Sequence, residues 1–175
     1  MADIVKELAG KQTVLLVVPS KKYDAVTKQT VKKLATKGSV AYVTLNKTFE
    51  ALTTSFKKAK VNTENIVFID AISKTLMSKP PQTDHAYYLN SPGALTEMSL
   101  VISKFVKHEF DYIIFDSITN LTTYNKGPVI HKFVSGLARK AEGKKTKFVF
   151  IALDLPDQKS MVQQCSTYVN GTVQG

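Results

Sequence analysis

With 175 residues, 43% of them apolar, the chain is long enough to bury the core of one ordinary domain. No stretch approaches the roughly 18 consecutive apolar residues of a membrane-spanning helix, and a single cysteine, Cys165, excludes an internal disulfide or a cysteine-built metal cluster. The formal charge of +10 invites a nucleic-acid partner, yet Arg139 is the one arginine among 24 basic residues, and lysine lacks the planar fork that reads guanine or clamps phosphate.

The opening "MADIVKELAGK" carries acids and no apolar signal core, so it reads as a short helix and the protein as cytoplasmic. Strands and helices then alternate. Near-continuous apolar, β-branched runs at Thr13–Val18, Val40–Leu45, Ile66–Ala71, Tyr112–Phe115 and Phe148–Leu153 read as strands covered on both faces. Between them, Val26/Thr30/Leu34/Ala35 and Leu52/Phe56/Ala59 give two helical stripes. Leu95/Met98/Ile102/Phe105/Val106 and Ile130/Phe133/Val134/Leu137/Ala141 give two more. Pro128 suits the first turn of the last of these helices, and Gly143 its end. A weaker helix over Asp157–Thr167 leads to an edge strand around Tyr168–Val173.

Such alternation demands parallel strands joined by right-handed crossovers, hence a three-layer α/β/α sandwich with a mostly parallel sheet. Ligands of these folds sit at the carboxyl ends of the strands. Here those ends are Pro19–Asp24, Asn46–Thr48, Ala71–Lys74, Asp116–Asn120 and Asp154–Pro156. The stretch Ser73–Gly93, with three of the six prolines, reads as a long irregular loop of the kind that often carries function.

The most specific signal is "EFDYIIFDSITNL", residues 109–121, a buried strand that ends in Asp116 and Ser117. In P-loop ATPases an aspartate at this place holds magnesium. Four neighbours complete the pattern: "KGSVAYVTLNKTFEAL", "NIVFIDA", "SPGALTEMSLVISKFV" and "KFVFIALD". In this order the chain resembles the RecA/KaiC-like P-loop ATPase core over residues 12–173, a single domain of that class over 1–175. The resemblance implies that the 148–153 strand inserts between the 13–18 and 112–115 strands. It also implies that Asp116 and Ser117 are a vestige of a magnesium site.

Two departures set the chain apart from that family. Where the family's phosphate loop reads GxxxxGK[ST], this chain reads "PSKKYDAVTKQT": Ser20, Lys21, Lys22, Tyr23 and Asp24, then Thr27-Lys28 in reversed order. Glycine is needed there for unusual backbone angles and for close approach of phosphate. Where the family has the acid that polarises the attacking water, this chain has Asn46-Lys47, neither of which is a base. The expectation is therefore a pseudo-ATPase with no ATP or magnesium cofactor. It would act as a regulatory or scaffold protein on a protein partner, an active RecA/KaiC-like relative or a second copy of itself. A lysine-driven nucleic-acid binder is one alternative; a nucleotide binder in which Lys21, Lys22 or Lys28 replaces the glycines is another. With no glycine between Pro19 and Thr30, the backbone is expected to form no phosphate nest. The helix is expected to start near Asp24, whose carboxylate would cap it and stand where a phosphate would sit.

Other residues read blandly. His85, His108 and His131 lie on separate elements without metal-ligand spacing. Cys165 reads as a buried thiol, and Ser20 and Ser117 lack a hydrolase elbow. Asp70 and Asp154 also end strands and could join Asp116 in an acidic rim, although no metal is expected there.

Overall fold

The computed structural model describes residues 3–175. Seven strands form one sheet: β1 (Thr13–Pro19), β2 (Val40–Thr44), β3 (Ile66–Asp70), β4 (Ala86–Tyr88), β5 (Tyr112–Asp116), β6 (Lys147–Asp154) and β7 (Gly171–Gln174). Their order is β4-β3-β2-β5-β6-β1-β7, and every adjacent pair is parallel. As the resemblance implies, β6 lies between β1 and β5. The central strands are buried, β2 along its whole length and β5 and β6 except at their ends, because helices cover both faces.

On one face, α1 (Ile4–Glu7), α2 (Tyr23–Ala35) and α3 (Phe49–Lys58) bury Ile4, Val26, Leu34 and Phe56 against Val14, Tyr42, Phe68 and Ile151. The first two residues of the predicted N-terminal helix lie outside the described residues. On the other face, α5 (Leu95–Lys107), α6 (Gly127–Ala141) and α7 (Lys159–Ser166) bury Met98, Ile102, Val134, Leu137 and Cys165 against Leu15, Val43, Phe115 and Phe150. Both stripes follow helical spacing, as the sequence predicts. Pro128 does stand in the first turn of α6, and Gly143 follows its end with a φ of +66°. Burial among these apolar groups pushes the Cys165 thiol up to about 12, leaving it an inert core group. Among the described residues no helix is long and apolar enough to cross a membrane.

The stretch predicted as one irregular loop is more ordered than expected. It holds the short helix α4 (Ser73–Leu76) and the edge strand β4, which pairs Phe68 with Ala86 and Asp70 with Tyr88. The last strand starts at Gly171, after a turn at 168–170 anchored by Asn170, whose side-chain oxygen accepts from the Thr13 amide at 3.0 Å.

Candidate functional site

Asp116 ends β5 and is 1% exposed. It pairs in register with Thr44, and Tyr42 lies one pleat earlier on the same sheet face, a diagonal neighbour within reach of a long side chain. The Tyr42 ring is fixed edge-on against Phe56, with centroids 5.5 Å apart, and its hydroxyl donates to Asp116 Oδ2. The other carboxylate oxygen is taken from above. Tyr23, the first residue of α2, donates its hydroxyl to Asp116 Oδ1 at 2.5 Å. Asn46, just past β2, donates Nδ2 to the same Tyr23 oxygen at 2.7 Å. Four residues, from the middle of β2, the turn after it, the end of β5 and the start of α2, thus form one network.

The electrostatics follow from burial. Desolvation holds the Asp116 carboxyl above the usual carboxylate range, against the opposing pull of the two tyrosine hydroxyls and of Lys47. Burial, then the nearby Asp116 charge, pushes both the Tyr23 and Tyr42 phenols above their ordinary value, so both stay protonated donors. What the network can do chemically is hold a carboxyl group. It presents no free base.

The stretch after β1 is helical throughout. Ser20–Lys22 form a 3-10 turn that runs directly into α2, and the Tyr23 amide donates to Ser20 O. Lys22, not Asp24, occupies the helix-cap position, and no side chain caps it. The expectation for Asp24 is therefore corrected: it lies one residue inside the helix, because the 3-10 turn starts the helical path early. Its half-exposed carboxylate accepts from Lys28 at 2.6 Å and from Lys47 at 3.4 Å, and the Lys28 hydrogen bond leads in holding its carboxyl below the usual range. The group set against Asp116 is the Tyr23 hydroxyl. Ser20, Lys21 and Lys22 are exposed, while Thr27 is buried on the core side of α2.

Of the sequence-selected positions, the structure joins Tyr23, Asn46 and Asp116 in one network and Asp24, Lys28 and Lys47 in a second, exposed one. Ser117 belongs to neither. Its hydroxyl donates to Asn120 Oδ1 at 2.6 Å and lies 2.7 Å from Thr119 Oγ1, inside the turn that follows β5; the Asp116–Ser117 peptide bond is cis. No acidic rim forms either. Asp70 is consumed by the Phe49, Ile72 and Ser73 amides at 2.7, 2.7 and 2.8 Å, and Asp154 is exposed. Among the described residues no three His, Cys, Asp or Glu side chains converge on a metal position. Tyr42 is the functional residue that sequence reasoning missed. A tyrosine inside an apolar strand was its only signal.

No family model matches the chain, and no curated relative matches it. Solved structures do. A KaiC-like protein of the hyperthermophilic archaeon Pyrococcus horikoshii matches with a TM-score of 0.65 at 14% identity, over 93% of this chain and 70% of its own. The flagellar accessory protein FlaH of Methanocaldococcus jannaschii matches with a TM-score of 0.64 at 18% identity, over 99% of this chain and 76% of its own. The fold is KaiC-like, with a RecA-type core.

Proposed function

We propose that this chain is a pseudo-ATPase of KaiC-like fold, a regulatory or scaffold protein that acts through protein–protein contact and neither binds nor hydrolyses magnesium-ATP. The observation that carries the reading is the Tyr23–Asp116 hydrogen bond. In the fold family this aspartate serves a metal and the preceding loop cradles phosphate. Here a side chain of that loop spends itself on the aspartate. A metal ligand must also be ionised and open, whereas Asp116 is buried, occupied on both oxygens and biased by its surroundings toward the neutral form.

The residues do not fit the nucleotide in two further respects. A phosphate nest needs successive backbone N–H groups turned toward one point, and the 3-10 turn and α2 point theirs along a helix axis instead. Asn46, at the position of the water-polarising acid, donates its amide to Tyr23. The two lysines free to compensate, Lys21 and Lys22, are solvated at the turn. With the chemistry removed and the scaffold kept, binding is the remaining use of the fold, to a second copy or to an active relative.

Thermal unfolding with millimolar magnesium-ATP tests the reading. The unfolding temperature should not move, because a ligand stabilises only by binding the native state. A magnesium-dependent rise would instead support a nucleotide site built on the surface lysines.

A further inference from the structure

The layer opposite the Tyr23–Asp116 network carries a feature that the proposed function leaves unused. Helices α5 and α6 pack side by side on that face, and a groove runs between them on the solvent side. Its upper part is a 350 Å³ hollow lined by Leu95, Leu100, Val129, Phe133 and Gly136, with Lys132 at its edge. One helical turn further along, from Ser99 to Ser103 and from Gly136 to Lys140, a second hollow of 340 Å³ continues it. Lys107, Lys140 and Lys144 line this lower part, with Glu109 as its one acid.

Three observations set the groove apart from ordinary surface. Leu100 and Val129 face each other's hollow at 62% and 48% exposure, two large aliphatic groups left wet on adjacent helices. Gly136 sits mid-helix, where glycine weakens a helix, and a Cβ there would meet nothing within 4 Å. No neighbour inside the protein therefore demands the glycine, and its exposed backbone lines the upper hollow. Finally, four lysines line the groove against the one acid, Glu109, and none of the four is ion-paired among the described residues. Lys140 instead reaches across the groove to donate to Ser103 Oγ at 2.7 Å, which fixes its charge over the groove.

We infer that the α5/α6 groove is a docking site for an acidic amphipathic helix of a protein partner. Apolar residues at helical spacing would seat on Leu100, Val129 and Phe133 and approach closely over Gly136. Carboxylates on the flanks would meet Lys132 above and Lys107, Lys140 and Lys144 below. The groove length, about 18 Å along α5, accepts about three turns of helix. Charge complementarity selects the acidic partner over a second copy of this chain, whose net charge of +10 would repel. The apolar upper half, whose one aromatic ring is the partly buried Phe133, selects peptide over nucleic acid, which binds on a series of open aromatic faces where successive bases stack. The inference names the surface and partner chemistry of the proposed scaffold role and rests on that reading.

The test pans a phage-displayed random 16-residue peptide library on the whole chain, then measures fluorescein-labelled winners by anisotropy. The winners should carry Leu, Ile or Phe at i, i+3/i+4 and i+7 with Asp or Glu between them. Their affinity should fall at least tenfold in Gly136→Leu, which projects a large side chain from the lining of the upper hollow. It should also fall in Lys107→Glu/Lys144→Glu and with added salt. Gly136→Ala is the folding control and should melt no lower than wild type. Failure to enrich any peptide, winners without acidic bias, or binding indifferent to Gly136→Leu would each overturn the inference. So would a single-stranded oligonucleotide that displaces the winners and binds Gly136→Leu as well as wild type. ATP hydrolysis by the chain would remove the pseudo-enzyme reading and leave peptide docking standing; peptides that ignore Gly136→Leu would do the reverse.

Discussion

The Tyr23 hydroxyl donates to Asp116 Oδ1 at 2.5 Å, joining two residues 93 positions apart. One begins the first α-helix after β1 and the other ends β5, so the bond lies at the carboxyl ends of the strands, where open parallel α/β folds bind their ligands. Each half has a second partner: Tyr23 accepts from Asn46, and Asp116 accepts from Tyr42. Both Asp116 oxygens are thereby occupied by the protein's own groups.

Tyr23→Phe should reveal what that occupancy contributes. It removes one hydroxyl from a buried carboxyl and leaves the Asn46 amide without its acceptor. Leaving a buried hydrogen-bonding group unpaired costs about 1–3 kcal/mol. Urea unfolding should show a loss in that range. A change of under about 0.5 kcal/mol would mean that water replaces the tyrosine without cost.

Asp116 also makes a prediction about pH. Burial raises its folded-state value above that of the unfolded chain, so the native state binds the proton more tightly. Its contribution to stability is complete below the unfolded value and is lost as pH rises through the folded value. Asp116→Asn cannot titrate there. As pH rises above about 4, the unfolded value, the wild type should lose stability relative to this variant, read as the difference in urea midpoints. A constant difference, or one of opposite sign, would contradict the assignment.

Much of this arrangement could be read in the sequence, for a physical reason. Strands buried on both faces are near-continuously apolar, so their runs, and with them the three layers, stand out without tertiary information, whereas the strand order was implied by the RecA/KaiC-like resemblance. β4 did not stand out. It is three residues, Ala86–Tyr88, in a proline-rich stretch, too short to show any period. Asp24 misled because aspartate favours helix caps by residue type, while the true start depends on a turn whose backbone the side chains do not announce. Asp116 was visible as a strand-end acid, but its occupants were not. Tyr42 and Tyr23 reach it only through the β2–β5 register and the angle of α2, which are long-range outcomes of folding.

Asp24→Asn should do little. The carboxylate's exposed pairs with Lys28 and Lys47 are of a kind worth at most about 1 kcal/mol together. Since Asp24 does not face Asp116, neutralising it should bring no affinity for ATP or sulfate. Tight binding of either by this variant, measured calorimetrically, would restore Asp24 as an occluding group.

Asp70 should behave as a structural knot. Fully buried, it accepts from three backbone amides and from Ser73 Oγ at 2.5 Å, tying the starts of α3 and α4 to β3. Asp70→Ala leaves those donors unpaired and should cost more than about 3 kcal/mol in urea unfolding. A loss below about 1 kcal/mol would show that the loops hold without it.

The most direct test of the pseudo-ATPase reading is turnover of ATP and GTP with magnesium, measured on wild type and on Asp116→Ala side by side. Both should match a buffer blank, since Asp116 already accepts from two tyrosines and Asn46, which donates to Tyr23, is not a base. Magnesium-dependent hydrolysis by the wild type that vanishes in Asp116→Ala would contradict it and make Asp116 a working metal ligand.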